Sequence, residues 1–425
     1  MNKSSFFPVR YQMVFSTFLL AMIVLFDRIL ISVAKEPIAE DLSLTDNQMG
    51  WILSIFALGY AAFQTPAGLW ADRVGPRKVL TVIVSIWSVF TALSGAVFNF
   101  ISLLIVRFIF GAGEAGAFPS MARAIFRWIP IRERGIVNGI NFSGGRIGAA
   151  IALPVVAWLI DLTSWRMSFL ILGVVGILWA IYWYIWFRNL PKNHVSVSDE
   201  ELKYIHENVE KNRNSKTPKI SFEKVFQSKT MWLLMGQYFA SNFTFFFCLT
   251  WLFPHLKLKY NLELLEAGFY TSMPLIFGAI GNWFSGWLVD VIYKKGFWSL
   301  SRKLPAIIGF TLASVGIISS IYRYEVFGAI VCISVAVFGA DMTLSPSWAA
   351  CVDVGKVHSG TISGTMNMAG NLGSFFTALA FPYLISFTGS STPFFIVASV
   401  LNFIAIVFWM FIKSDSNVDF SKVEI

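Results

Sequence analysis

The sequence predicts an all-α membrane protein of twelve transmembrane helices arranged as two pseudo-symmetric six-helix bundles. Three observations predict it. The chain of 425 residues is 56% hydrophobic and only 13% charged, against about 25% charged in soluble domains. Apolar runs of spanning length recur twelve times, in two sets of six, the length being set by a hydrocarbon layer about 30 Å thick. Glycines also repeat between the sets. Gly50, Gly68 and Asp72 return as Gly268, Gly286 and Asp290, each 218 positions on; Gly135, Gly139, Gly145 and Gly148 return as Gly360, Gly364, Gly370 and Gly373, each 225 on. Two constant offsets argue for a duplicated unit.

The runs fall near 11–34, 48–71, 79–98, 99–122, 135–160 and 166–188, then near 230–255, 266–289, 303–322, 326–351, 359–387 and 392–412. Between the sets lies the one long polar segment. The expected organisation is a six-helix bundle over 1–188, a linker over 189–229 and a second bundle over 230–425. Within the linker, Ser198 followed by Asp199, Glu200 and Glu201 reads as a helix start with acids in its first turn. Leu202, Ile205 and Val209 then recur at helical spacing, which predicts a short amphipathic helix at the membrane surface. The first run is long and begins after ten residues, so it is expected to stay as a span and not to be cleaved as a leader.

Loop charges give an orientation. Residues 35–46 carry Glu36, Glu40, Asp41 and Asp46 against a lone Lys35, whereas the next loop carries Arg73, Arg77 and Lys78. Later basic loops hold Arg123, Arg127, Arg132 and Arg134, and then Lys294, Lys295, Arg302 and Lys303. Alternate loops are basic, which places both termini and the linker in the cytoplasm. The net charge of +9 is scattered among these loops, a pattern that argues against a nucleic-acid partner. Cys248, Cys332 and Cys351 lie in or beside apolar runs and read as small core residues. His255, at a span end, reads as interfacial. Neither a metal spacing nor a catalytic motif such as HExxH, a Walker loop or GxSxG is present, so no enzyme activity and no cofactor are expected.

The informative residues are charges inside spans. An ionisable group at bilayer depth costs roughly 2.5–3.5 kcal/mol on insertion scales, so it normally faces a cavity or a partner. Asp27 and Arg28 are adjacent in the first span and point about 100° apart. Arg107 and Glu114 lie seven residues apart in the fourth, on nearly one helix face and about 10 Å apart along the axis. Four such groups in two spans exceed what packing needs, and they read as proton-binding acids beside anion-binding cations. The competing reading is a buried ion pair that only fixes helix packing, and for Arg107 the two readings balance. Glu114 suits a coupling proton, because burial favours the neutral carboxyl and a nearby cation the charged one. Arg146, near the middle of the fifth span, is expected to face a cavity as a second carboxylate ligand, since a guanidinium holds a carboxylate with a planar fork. Asp341 in the tenth span is either the partner of a cation or part of the coupling. In the second half Gln237, Asn242, Ser345, Ser347, Asn367 and Asn371 offer uncharged groups that suit polyol hydroxyls, although any one alone is more often an interhelical hydrogen bond. Gly68, Asp72, Arg73, Arg77 and Lys78 close the second span as an ion-pair latch able to hold one access state shut.

The stretch from Gly68 to Lys78, G-x-x-x-D-R-x-G-x-R-K, resembles the loop signature of the major facilitator superfamily. Asp27-Arg28, Tyr60 with Gln64-Thr-Pro66-Ala-Gly68, Arg107-x-x-x-Gly111-x-x-Glu114 and Ala115 through Pro119 are similar to the anion:cation symporter family within it. Trp251-Phe-Pro254 and Asn367-Met-Ala-Gly370 extend the resemblance over essentially the whole chain. It implies uptake of an organic anion with protons, in a bacterial inner membrane and as a monomer among lipid. It implies that Asp27 and Glu114 are protonation sites, that Arg28 holds the substrate carboxylate, and that Arg107 tunes the acid on its own helix. It further implies that Tyr60, Gln237, Ser345 and Asn367 line a sugar-acid site. Gly145 stands where galactonate-type carriers have Gln, with Arg146 beside it, a departure that favours a second acidic group on the substrate. The expectation is therefore a proton-coupled symporter for a small carboxylated solute, most specifically a hexonate, hexuronate or aldarate. The competitors are an exporter or antiporter of the same fold, including a drug exporter, and a non-transporting membrane sensor. The arginines of the first half argue against a drug exporter's large apolar cavity. The lack of a soluble domain argues against a sensor.

Overall fold

The computed structural model describes residues 8–207, 220–262 and 264–412. Val209, the end of the expected amphipathic stripe, and the chain's two ends lie outside the described residues. The first half holds α1 (Val9–Val33), α2 (Lys35–Asp41), α3 (Asp46–Val74), α4 (Pro76–Ser94), α5 (Phe100–Glu114), α6 (Ala117–Trp128), α7 (Arg134–Leu162) and α8 (Trp165–Trp186). The linker holds α9 (Asp199–Glu207) and α10 (Phe222–Gln227). Then follow α11 (Lys229–Thr250), α12 (Leu252–Tyr260), α13 (Leu264–Lys294), α14 (Trp298–Ile321), α15 (Val326–Met342), α16 (Leu344–Gly355), α17 (Ser359–Thr388) and α18 (Thr392–Phe411).

Each expected span contains helix. Among the described residues nine stretches are long and apolar enough to cross a membrane, or ten if the bent pair within 131–162 is one span. One stretch, Val326–Thr388, covers two expected spans. The expected seventh span, α11, is outside that set because Gln237 and Asn242 interrupt its apolar run.

Local sequence sets the helix ends. Thr45 with Gln48 forms a capping box at the start of α3, and Asn99 with Ser102 does so at the start of α5, satisfying amide groups that have no partner in a first turn. Gly75, at φ +96°, turns the chain between α3 and α4, a conformation side chains resist. Two spans are broken midway. Pro119 follows the gap between α5 and α6, and Pro346 follows the gap between α15 and α16. A proline has no N–H for the carbonyl four residues back, here Ala115 and Met342.

The helices gather into two compact units: Met1–Ile131, Ile147–Lys219 and Gly355–Thr365 form one, and Arg132–Arg146, Ile220–Val354 and Met366–Ile425 the other. The start of α7 joins the second unit, and the start of α17 joins the first. An aspartate ties down each of these segments. In the first unit Asp72 accepts from the Gly360 and Thr361 amides at 2.9 and 2.7 Å and from the Thr361 hydroxyl at 2.7 Å. In the second, Asp290 accepts from the Gly135 and Ile136 amides at 3.0 and 2.8 Å. A carboxylate on the free amides of a helix start is favourable on both hydrogen-bond and dipole grounds.

Small residues let the spans touch. In the first unit a Cβ on Gly173 would lie 2.6 Å from the Ser88 carbonyl oxygen, joining α8 to α4, and one on Gly111 would lie 2.3 Å from that of Phe56, joining α5 to α3. In the second, Gly309 and Gly339 face each other across α14 and α15 in the same way. Close backbone approach of this kind is how helices associate where lipid offers no hydrophobic drive. The opposite face of α8 shows Leu170, Val174, Leu178, Ile181 and Ile185 exposed at helical spacing, a stripe suited to hydrocarbon. In the linker α9 begins after Ser198, whose hydroxyl accepts from the Glu201 amide at 3.1 Å. Glu201 in turn receives the Val9 and Arg10 amides at the start of α1, both at 3.0 Å.

Candidate functional site

In the first unit, α1, α3, α4 and α5 bring the charged residues of the first and fourth spans together. Asp27 is 2% exposed. Neither of its carboxylate oxygens has a hydrogen-bond partner among the described residues. Trp87 and Thr91 of α4 flank it with their donors turned toward its carboxylate. A buried ionised carboxylate without partners is costly, and a bound proton removes that cost. Arg28 points elsewhere and donates from Nε to Glu114 Oε1 at 2.6 Å. Its guanidinium lies over the rings of Tyr60, at 4.6 Å, and Phe56, at 5.1 Å, where ring faces attract a cation. Solvent reaches 22% of the Arg28 side chain but only 1% of Glu114. Arg28 Nη2 and Glu114 Oε2 have no hydrogen-bond partner among the described residues, so the pair leaves one donor and one acceptor open. Arg107 is buried, with its guanidinium 4.4 Å from the Phe110 ring centroid. Its charge acts on both Glu114 and Asp27.

This cluster can hold an anion and exchange protons. Arg28 is a cation that solvent reaches and that has an unused N–H. Glu114 is the internal counter-ion that an incoming carboxylate would displace. Asp27 is a second acid within electrostatic reach of Glu114.

In the second unit Arg146 of α7 grips Asp341 of α15 through Nε to Oδ2 at 2.8 Å and Nη2 to Oδ1 at 2.6 Å. The guanidinium carbon lies 3.6 Å from the centroid of Phe245. Gln237 is fully buried; its Nε2 donates to the Leu234 carbonyl at 3.0 Å, and its Oε1 accepts from Ser347 at 3.1 Å and Trp409 at 3.2 Å. The Ser345 hydroxyl donates to the Gly135 carbonyl at 2.6 Å. Asn367 is 6% exposed and contributes its backbone carbonyl to Asn371. Gln237 and Ser345 thus have their polar atoms committed to packing contacts, whereas Arg146 stands with a buried acid.

Of the 68–78 stretch, Gly68 and Asp72 are buried at close contact. A Cβ on Gly68 would lie 2.2 Å from the Gly360 carbonyl oxygen, and Asp72 meets Arg123 at 3.5 Å. Arg73 and Lys78 are exposed, and Arg77 donates to the Tyr184 carbonyl at 2.9 and 2.8 Å. Two features escaped the sequence reading. Arg134 and Arg302 converge on Asp353, the latter at 2.9 and 3.1 Å. Their separation along the chain gave no signal of this. The second feature had a signal: Glu114 and Asp341 each stand five residues before a proline, and both members of the second pair lie 227 positions beyond the first.

The chain matches the Major Facilitator Superfamily over residues 17–378. It is 33% identical to a probable sulfoacetate transporter of Cupriavidus necator, over 90% of this chain and 89% of that protein. It is 31% identical to a probable galactarate/D-glucarate transporter of Escherichia coli, over 96% of this chain and 95% of that one. Its fold is similar to the structure of a proton:xylose symporter bound to 6-bromo-6-deoxy-D-glucose, with a TM-score of 0.75, covering 95% of this chain and 96% of that one at 15% identity. With its two six-span sets, its broken fourth and tenth spans and a family match over most of its length, the chain belongs to the major facilitator superfamily of multi-pass membrane transporters.

Proposed function

We propose that the protein is a proton-coupled symporter that imports a small organic anion of the sugar-acid type. One observation carries the reading: the ion pair of half-buried Arg28 with buried Glu114, with a donor and an acceptor left open among the described residues, stands beside a buried Asp27 in electrostatic reach of Glu114. A carboxylate taking the place of Glu114 on Arg28 leaves Glu114 without a partner, and a proton then neutralises it. Binding of the anion and binding of the proton thereby support each other. The names of the two bacterial relatives support a small organic anion as solute, and hexonates, hexuronates and aldarates are the proposed class. The basic loops support cytoplasmic termini in a bacterial inner membrane, and a single chain holding both units supports function as a monomer.

The test is uptake of a radiolabelled sugar-acid panel into proteoliposomes, with and without an inward proton gradient. The reading expects at least one sugar acid to accumulate above equilibrium only when the gradient is imposed. Downhill equilibration that ignores the gradient would remove the proton coupling. Uptake of lipophilic cations but no sugar acid would replace the reading with drug export.

A further inference from the structure

The Arg146–Asp341 pair is built like the Arg28–Glu114 pair, although a different helix supplies its cation. Each acid stands at the broken middle of a span, five residues before the proline that follows the break, and the two copies are 227 positions apart. Each acid is 1% exposed, whereas its arginine keeps solvent contact, 22% for Arg28 and 13% for Arg146. Each guanidinium lies over an aromatic face, Tyr60 for Arg28 and Phe245 for Arg146. The pocket of Asp341 is kept clear by a glycine: a Cβ on Gly278 of α13 would lie 2.2 Å from Asp341 Oδ2. Among the described residues Arg146 of α7 pairs with Asp341, and the Cys248 thiol of α11 lies within its electrostatic reach. α13 meets it with Gly278, and α14 meets α15 through Gly309 and Gly316.

We propose that Arg146 is a second anion-recognition residue, which Asp341 occupies at rest and yields to a carboxylate or sulfonate group. The inference rests on the reading of the chain as an organic-anion carrier and narrows its substrates to solutes bearing an anionic group beyond the one that Arg28 accepts. The exchange balances in charge. At rest the guanidinium and carboxylate cancel. When an anionic oxygen pair takes the two N–H donors, Asp341 loses its partner in a nearly waterless position and takes a proton from solvent. The guanidinium and the bound anion then cancel in their turn. A planar fork is needed, because two parallel N–H bonds select a carboxylate or sulfonate over a hydroxyl.

A matched pair of solutes tests the inference. D-Glucarate and D-gluconate differ at one end, a carboxylate against a hydroxymethyl group. Calorimetric titration of the full chain in lipid nanodiscs measures both, in buffers of different ionisation enthalpy so that proton uptake is counted. The expected wild-type result is tighter binding of D-glucarate by about tenfold, one charge-assisted contact, with more protons taken up than for D-gluconate. Arg146→Gln combined with Asp341→Asn removes both charges at once and leaves no buried ion unpaired. That double variant is expected to lose the preference, binding D-glucarate no more tightly than D-gluconate. Asp341→Asn alone is expected to abolish the extra proton uptake. Equal wild-type affinity for the two solutes, or a double variant that still prefers D-glucarate, overturns this inference while leaving the carrier reading intact. If neither these nor any other sugar acid binds the wild type, the carrier reading falls and the inference with it.

Discussion

Arg28 is the member of its cluster that solvent reaches, and its neighbours are arranged to need it. Glu114 is closed to solvent and bound to it at 2.6 Å, so removal of the guanidinium has two effects. In the proposed function the anion loses its charged donor, worth about 3 kcal/mol or about a hundredfold in Kd, and Glu114 loses its ion-pair partner and keeps only the charge of Arg107 nearby. Arg28→Ala is therefore expected to weaken sugar-acid binding about a hundredfold. Arg28→Lys, which keeps the charge and loses the planar fork, should fall between it and wild type. A binding assay with a labelled solute checks this, and wild-type affinity in the alanine variant would move the anion site away from Arg28. Asp27 makes the opposite prediction. Its carboxylate oxygens have no hydrogen-bond partner among the described residues, so Asp27→Asn is expected to leave thermal stability unchanged or raised by about 1 kcal/mol while proton-driven uptake is lost. A melting curve and an uptake assay on one preparation separate the two effects; lost stability with intact uptake would make Asp27 a packing residue.

At the scale of elements, the helix starts held by Asp72 and Asp290 and the glycine contacts between spans do different work. Asp72 satisfies two backbone amides and a hydroxyl at the start of α17 and faces Arg123 at 3.5 Å. Asp72→Asn keeps the shape but removes the charge that favours a helix start, and is expected to cost about 1–2 kcal/mol, read as a lower melting temperature in detergent. An unchanged melting temperature would mean that the contact contributes little. Gly173 has no space for a side chain against the Ser88 carbonyl, so Gly173→Leu is expected to force α4 and α8 apart and to reduce the folded yield sharply. Monodisperse, wild-type-like elution on size exclusion would contradict that packing. These contacts mark the limit of what the sequence conveyed. The span positions were legible because twenty apolar residues in a row have few other uses. The breaks after Glu114 and Asp341 were not read, because each span looked continuous in hydropathy even though Pro119 and Pro346 were in plain view. The partners of Asp72 were illegible on physical grounds: Gly360 lies 288 positions away, and no local pattern encodes so distant a pairing.

For the whole molecule, the duplication gives the second half its own copy of the acid before a proline, its own aspartate on a helix start and its own glycine contacts. The charged cluster of the first half was legible as a group of residues because ionisable groups stand out in apolar runs. The roles of Gln237 and Ser345 were less so, since uncharged groups serve packing and binding equally well, and here their polar atoms bond to Leu234 in the same helix and to neighbouring helices. In the proposed account the copies share a rule of exchange, in which a buried acid yields its arginine to an anion and takes a proton in return. The most direct measurement is made on Glu114→Gln in proteoliposomes, comparing accumulation driven by an inward proton gradient with exchange of internal for external labelled sugar acid. The account predicts that gradient-driven accumulation falls to background while exchange stays within about threefold of wild type. A Glu114→Gln variant that still concentrates its solute with the proton gradient would contradict it.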